Sequence, residues 1–164
     1  MNTILMSVLL LISFLLDVIV PNLLRNFIPF FVIAIIVISS FFKMDDFWYY
    51  LVIFITGVAY DLTCTSAVFL HGFLFCLIGY LSKLVLGNKG GFIAALLAYY
   101  GLSVLYVFLI MILTFNYVPD MIISINNKIF NSFIINSVFF ITFYLLFIGL
   151  VGLIWNRSKK SSYF

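Results

Sequence analysis

The length of the apolar stretches is the strongest constraint on how this chain can fold. Hydrophobic residues make up 66% of its 164 residues and charged residues only 8%. A soluble domain of this size needs a polar exterior, which this composition cannot supply. A helix crosses the hydrocarbon core of a bilayer with roughly 17–25 apolar residues. The sequence therefore predicts an all-α, polytopic membrane helical bundle that forms a single integral membrane domain over residues 1–164.

Six segments have approximately this length and composition, and short polar turns separate most of them. The predicted transmembrane helices cover 4–20, 27–42, 47–63, 68–86, 92–115 and 133–155. Pro21 and Asn22 are predicted to end the first helix. Because the second and third segments are short, five spans with the third and fourth as a re-entrant pair stay open as an alternative.

Basic residues predict the orientation of this bundle. With six spans, both termini lie on one side, and the basic residues on that side are Lys43, Lys83, Lys89, Arg157, Lys159 and Lys160. The opposite side carries only Arg25 and Lys128. The positive-inside rule then places both termini in the cytoplasm. The side chains predicted for a cytoplasmic aromatic belt are Trp48, Tyr49, Tyr50 and Trp155.

A further segment, about 118–131, is predicted to be a short amphipathic helix on the outer membrane surface. Its apolar residues recur at helical spacing, with polar residues largely between them. It could equally pack over the spans as a lid.

Asp61 is the residue that most suggests a function. A charge inside a bilayer costs on the order of 3 kcal/mol or more, so it needs a structural or functional reason. Gly57 precedes it by four residues on the same helical face, where a glycine lets a neighbouring helix approach closely. Two interpretations stay open. Asp61 either anchors a polar contact to a partner, ligand or proton, or has a structural role in which it caps the next helix or pairs with Arg25 or Lys128.

Two other polar residues lie toward the predicted outer face. Asp17 is near the end of the first span, and pairing with Arg25 across the intervening turn is predicted. His71 begins the fourth span and is interpreted as a hydrogen-bonded structural residue, or as a proton relay if Asp61 lies nearby. In the same span Gly72, Cys76 and Tyr80 follow at four-residue steps, which predicts a close-packing seam.

The chain offers little material for catalysis. Cys64 and Cys76 have no metal-ligand companions, and a single histidine is too few for a zinc site. No Ser-His-Asp set and no phosphate-binding glycine loop is visible. The sequence predicts a protein that is not an enzyme, with no cofactor, no metal and no nucleic-acid partner.

One stretch of the chain resembles a known family. The residues that carry the resemblance are Gly57, Asp61 and Leu62, then Leu70, His71 and Gly72, and finally Tyr80 with Leu81. They are similar to the signature of the rod-shape-determining protein MreD family. The chain departs from the family pattern at Phe69, where a glycine is common, and in the turn 63–67, which lacks proline and glycine.

The resemblance implies a non-enzymatic scaffold in the bacterial inner membrane. MreD-like proteins bind the single-span protein MreC and act with the actin-like MreB and with RodA and its penicillin-binding transpeptidase. Together these proteins direct lateral peptidoglycan synthesis and cell shape. Membrane lipid is a further expected partner.

Two alternatives stay open. The substrate-binding subunit of energy-coupling-factor vitamin importers is similar in size and span number and could share the fold, with a ligand entering near Asp61 and His71. A lipid-modifying enzyme could use only Asp61, His71 and Tyr80.

Overall fold

The chain folds into an all-α membrane bundle, as the sequence predicts. The computed structural model describes residues 2–23, 27–41, 45–65, 69–87, 91–113, 128 and 130–149. Within these residues the helices are α1 (Asn2–Leu23), α2 (Phe31–Ser39), α3 (Asp46–Cys64), α4 (Leu70–Leu86), α5 (Phe92–Leu113) and α6 (Phe130–Gly149). In this part of the chain α1, α3, α5 and α6 are long and apolar enough to cross a membrane, and α4 is a shorter apolar helix.

The first helix continues through the residues predicted to end it. Pro21 lies inside α1, which extends to Leu23. Proline has no N–H, so one intrahelical hydrogen bond is lost there. The next residue, Asn22, donates from its side-chain Nδ2 to the carbonyl of Val18 at 2.9 Å.

The second predicted span is only partly helical, and this corrects the prediction of a continuous helix over 27–42. Residues 27–30 are not helical, and α2 covers nine residues, all of them buried. Pro29 explains the break, because proline disfavours helical geometry in the residue before it. A nine-residue helix is about 13.5 Å long, less than half of a hydrocarbon core of about 30 Å. The central element of the bundle is therefore a short helix wrapped by its neighbours.

Helices α3 and α4 form a tight antiparallel hairpin. Gly57 faces Gly72 near one end of the hairpin, and Gly79 lies against Tyr49 and Ile53 further along. At the far end the ammonium of Lys83 on α4 contacts the carboxylate of Asp46 on α3. Glycines at these crossing points let the two backbones approach, which is how helices pack in lipid.

The core is built around α2. The largest fully buried side chains outside α2 are Met6, Leu10, Tyr49, Ile53, Phe75, Ile78, Tyr99 and Phe140. Tyr49 was predicted to lie in an interfacial aromatic belt, and its complete burial corrects that prediction. Its hydroxyl donates to the carbonyl of Ile36 at 3.2 Å, so the ring reaches inward to α2 while Trp48 stays exposed.

Several predictions fall on residues outside the described ranges. These are the positions of Arg25, Trp155, Arg157, Lys159 and Lys160, and most of the segment 118–131. The last residues of that segment, 130 and 131, belong to α6.

Candidate functional site

The candidate site is the corner between the end of α3 and the start of α4. Asp61 lies in the last turn of α3 and is 2% exposed. His71 lies in the first turn of α4 and is also buried. The Nδ1 atom of His71 is 2.5 Å from Oδ1 of Asp61. An ionised carboxylate only accepts hydrogen bonds, so in this pair the imidazole donates from Nδ1.

The Asp61 carboxylate makes further bonds at the same corner. Its Oδ2 accepts from the backbone N–H of His71 at 2.9 Å, and its Oδ1 accepts from the Thr65 hydroxyl at 3.1 Å. The backbone N–H of Thr65 donates to the Asp61 carbonyl at 3.2 Å. One residue thus satisfies polar groups at the end of α3 and at the start of α4, which are costly to bury without partners.

Gly57 and Gly72 allow α3 and α4 to approach each other closely next to this carboxylate. A Cβ added to Gly57 would lie 2.5 Å from both the Cα of Gly72 and the carbonyl oxygen of His71. Such a distance is incompatible with any side chain, because the atoms it meets are backbone. A Cβ on Gly72 would meet the ring of Phe54 at 3.0 Å. The sequence prediction that Gly57 permits a close helix approach agrees with this geometry.

The residue before α4 adopts an unusual conformation. Phe69 has φ of 65° and ψ of 1°, in the left-handed region, and makes no side-chain capping bond. This conformation costs a non-glycine residue on the order of 1–2 kcal/mol. Its ring stacks on Phe54 at a centroid distance of 6.1 Å, which offsets part of that cost. A glycine would adopt this left-handed backbone without that cost.

Aromatic rings surround the histidine. The ring of Tyr60 lies 4.8 Å from the His71 imidazole, and those of Tyr106 and Phe75 lie 5.9 and 6.0 Å away. The ring of Phe14 on α1 contacts Tyr60 in turn, at 6.2 Å. The Asp61–His71 pair is therefore enclosed by apolar and aromatic surface from α1, α3, α4 and α5. In such a setting its hydrogen bonds are stronger than in water, and losing one partner is more costly.

The structure does not bring every predicted site residue to this corner. Leu62 is 77% exposed and Tyr80 is 54% exposed, so both point away from it, and Leu70 is half-buried. In the described part of the chain the ionic partner of Asp61 is His71, and Lys128 forms no ion pair. This corrects the predicted pairing of Asp61 with Lys128.

The predicted small-residue seam on α4 is also partly wrong. Cys76 faces α3, where its thiol donates to the Tyr50 carbonyl at 3.6 Å. Gly72 faces α3 as predicted. The seam then continues through Gly79 rather than through Tyr80, because a three-residue step keeps a side chain on the buried face of this helix.

A second buried polar cluster lies at the start of α2. The two carboxylate oxygens of Asp17 accept from the backbone N–H groups of Phe31 and Val32 at 3.0 and 3.1 Å. Asp17 therefore caps α2 by accepting from two N–H groups of its first turn. No cation forms an ion pair with it among the described residues. Its predicted partner, Arg25, lies outside those residues.

Two residues of α6 complete this cluster, and the sequence reasoning missed both. The Ser132 hydroxyl accepts from the Ile28 N–H at 2.8 Å. The amide of Asn136 donates to the Ile28 carbonyl at 2.9 Å and accepts from the Phe30 N–H at 3.3 Å. Side chains thus bond backbone groups of the non-helical segment 27–30, as non-helical backbone in a membrane requires. The available signal was a proline in one apolar segment and an asparagine in another.

The hydrogen bonds of both clusters indicate that Asp61 and Asp17 position one helix against the next. The Asp61 carboxylate accepts from the His71 ring, the His71 backbone and Thr65, and the Asp17 carboxylate accepts from two backbone groups. Each carboxylate sits near the end of one helix and binds the first turn of the next. This arrangement fixes how consecutive helices meet at the predicted outer side of the bundle. In comparisons with known proteins, no protein-family model, no curated protein and no solved structure matches this chain.

Proposed function

We propose that this chain is a non-enzymatic membrane scaffold of the MreD type, located in a bacterial inner membrane with both termini in the cytoplasm. In this proposal it binds an MreC-like single-span protein. Through that protein it acts with an MreB-like filament and with RodA and a penicillin-binding transpeptidase in lateral peptidoglycan synthesis.

The observation that carries the proposal is the Asp61–His71 corner. The residues that gave the resemblance include Gly57, Asp61, His71 and Gly72, and these four meet in one place. A shared signature that builds a helix corner is what a scaffold requires. A scaffold needs a reproducible shape, whereas an enzyme needs a reactive group that is open to substrate.

The internal use of the polar groups supports the same conclusion. Three hydrogen bonds, one from Thr65 and two from His71, already occupy the Asp61 carboxylate. The predicted catalytic alternative required Tyr80 beside them, and Tyr80 is exposed elsewhere on α4. Large apolar side chains are exposed on α1, α5 and α6, and these surfaces are available to a partner helix.

Co-purification tests the proposal. The chain is co-expressed with the MreC-like protein of the same genome, and partner recovered per mole of folded chain is measured for wild type, Asp61→Asn and Asn131→Asp. We expect the amide at Asp61 to reduce recovery, because it cannot accept from both His71 groups and Thr65 as well as a carboxylate does. Asn131→Asp is the control, since it makes the reverse exchange at an exposed position of α6, outside the corner and outside the residues that gave the resemblance.

Wild-type chain that recovers no MreC-like protein contradicts the proposal. So does purified chain that carries a vitamin, which instead supports the importer alternative. Cells in which the genomic copy carries Asp61→Asn should lose rod shape while the protein remains inserted. A normal shape at normal protein level would count against a role for this corner.

A further inference from the structure

The hydroxyl of Tyr99 is buried without a hydrogen-bond partner. Tyr99 lies on α5 with no exposed surface, and its Oη atom makes no hydrogen bond in the part of the chain that the structure describes. Buried tyrosine hydroxyls usually have a partner, because an unsatisfied polar group in an apolar interior is costly. Tyr49 is equally buried, and its hydroxyl donates to the Ile36 carbonyl at 3.2 Å. Tyr99 therefore differs from Tyr49 in lacking an acceptor among the described residues.

Ser82 carries a second buried hydroxyl that has no partner among the described residues. A serine can rotate its Oγ atom toward the carbonyl one turn earlier in its own helix. Ser103 makes such a bond, to the Tyr99 carbonyl at 2.8 Å. The ring of a tyrosine holds its hydroxyl away from its own backbone, so Tyr99 has no such bond available. Its hydroxyl needs an acceptor from outside α5.

Side-chain contacts place Tyr99 beside the start of α2. Its ring stacks on Phe140 of α6, with the ring centroids 4.8 Å apart. Phe140 follows Asn136 by four residues, so the two side chains lie on the same face of α6. Asn136 accepts from the N–H of Phe30, the residue just before α2, at 3.3 Å. The Tyr99 ring thus packs on the face of α6 that holds the start of α2, where the Asp17 carboxylate also binds.

Asp17 is the acceptor that this region offers. Its carboxylate is buried, and each of its oxygens accepts from one backbone N–H of α2. An ionised carboxylate can accept about four hydrogen bonds, so about two positions remain. The charge of Asp17 interacts with the side chains of Tyr60, Tyr99 and Tyr106. No described hydrogen bond joins Asp17 directly to these tyrosines, so a polar contact between them requires a bridging group.

We propose that a bound water molecule bridges the Tyr99 hydroxyl and the Asp17 carboxylate inside the bundle. Water accepts from the hydroxyl and donates to the carboxylate, and these are the bonds that the two groups lack. Buried water makes about three hydrogen bonds, and the hydroxyl of Tyr60 or Tyr106 is available for the third. The inference concerns the interior of the bundle and does not depend on the scaffold function.

A metal ion is a less suitable occupant than water. The described residues contain no group of three His, Cys, Asp or Glu side chains that could hold a metal ion. The N–H groups of Phe31 and Val32 point at the Asp17 carboxylate, and such donors suit an anion or a neutral acceptor rather than a cation. Water is neutral and can turn either a hydrogen or a lone pair toward each neighbour.

Radiolytic footprinting detects the bound water. Ionising radiation converts water into hydroxyl radicals that oxidise the side chains beside it, and tandem mass spectrometry separates Tyr99 from Tyr100. Tyr49 is the matched control, because it is the same side chain with the same complete burial, and its hydroxyl is bonded to protein. We expect Tyr99 of the detergent-solubilised full chain to be oxidised several-fold faster than Tyr49. Equal rates for the two tyrosines would overturn the bound water.

The Tyr99→Phe variant tests the hydroxyl by the sign of its effect. Removing a hydroxyl that bonds a fixed water should lower the midpoint of thermal unfolding, because a buried hydrogen bond is lost. Removing a hydroxyl that has no partner leaves the midpoint equal or raises it, and that result would overturn the proposal. Tyr49→Phe is the control and should lower the midpoint, since its hydroxyl bonds the Ile36 carbonyl.

A second background tests the link to Asp17. The midpoint shift caused by Tyr99→Phe is measured in the wild-type chain and in Asp17→Asn. An asparagine has one carbonyl oxygen to serve both the α2 N–H groups and the water, so the shift should shrink to about half or less. The shift caused by Tyr49→Phe should be the same in both backgrounds. An undiminished shift from Tyr99→Phe in Asp17→Asn would overturn the role of Asp17 as the acceptor of this water.

Discussion

Replacing Gly57 by alanine should separate α3 from α4 at the corner. The added Cβ would lie 2.5 Å from the Cα and N of Gly72 and from the His71 carbonyl oxygen, all of them backbone atoms that cannot rotate away. Reaching an ordinary contact of 3.4 Å requires a movement of about 0.9 Å, the difference between these distances. The same movement would stretch the 2.5 Å contact between Asp61 and His71 beyond hydrogen-bond range.

The cost can be estimated from overpacking. Inserting a methyl group into a well-packed site costs about 1–3 kcal/mol. By the scaling for proteins of this size, that lowers the midpoint of thermal unfolding by roughly 2–12 °C. The assay is thermal unfolding of the detergent-solubilised protein, followed by the fraction that stays monodisperse. Gly101→Ala is the matched control, because nothing lies within 4 Å of a Cβ added there and alanine favours a helix.

The two substitutions should therefore have different effects on the midpoint of thermal unfolding. Gly57→Ala should lower the midpoint clearly, and Gly101→Ala should leave it unchanged or raise it slightly. Equal midpoints for Gly57→Ala and wild type would refute the close backbone approach, and with it the reasoning that assigns the corner its shape.

Three further predictions concern other parts of the fold. Phe69→Gly should be more stable than Phe69→Val by about 1 kcal/mol or more, because only glycine relieves the positive φ; the reverse order in thermal unfolding would contradict the left-handed backbone. Asp17→Ala should cost about 2–4 kcal/mol, since it strips two buried N–H groups of their acceptor, while Asp17→Asn should cost less; equal losses would argue against the cap. A fluorescent reporter fused after Phe164 should be cytoplasmic, and an active periplasmic reporter there would reverse the orientation.

The general fold follows from the sequence because burial in lipid dominates its energetics. Long apolar segments can satisfy their backbone only as helices in a membrane, so the bundle is predictable from hydropathy. The site is partly predictable for a related reason. A carboxylate four residues after a glycine indicates a polar contact in a closely packed helix pair. The sequence left the partner of Asp61 open among His71, Arg25 and Lys128, and the contact with His71 emerges only in the structure.

What the sequence could not give depends on contacts between distant segments. The cap on α2 joins Asp17 to residues 14 and 15 positions later, and Asn136 reaches Ile28 across more than a hundred residues. Local patterns carry no information on such pairings. Tyr49 illustrates the same limit. Its position near the start of a helix predicts an interfacial side chain, but its hydroxyl donates to the Ile36 carbonyl inside the bundle.

A double-mutant cycle on Asp61 and His71 tests most directly the central claim that this pair fixes the α3–α4 corner. Unfolding free energies are measured for wild type, Asp61→Ala, His71→Phe and the double variant. If the pair acts as one unit, each single variant leaves a buried polar partner unsatisfied, and the double variant costs less than the sum by about 1–3 kcal/mol. Additive losses, within about 0.5 kcal/mol, would contradict the claim, because they would mean that the two side chains do not depend on each other.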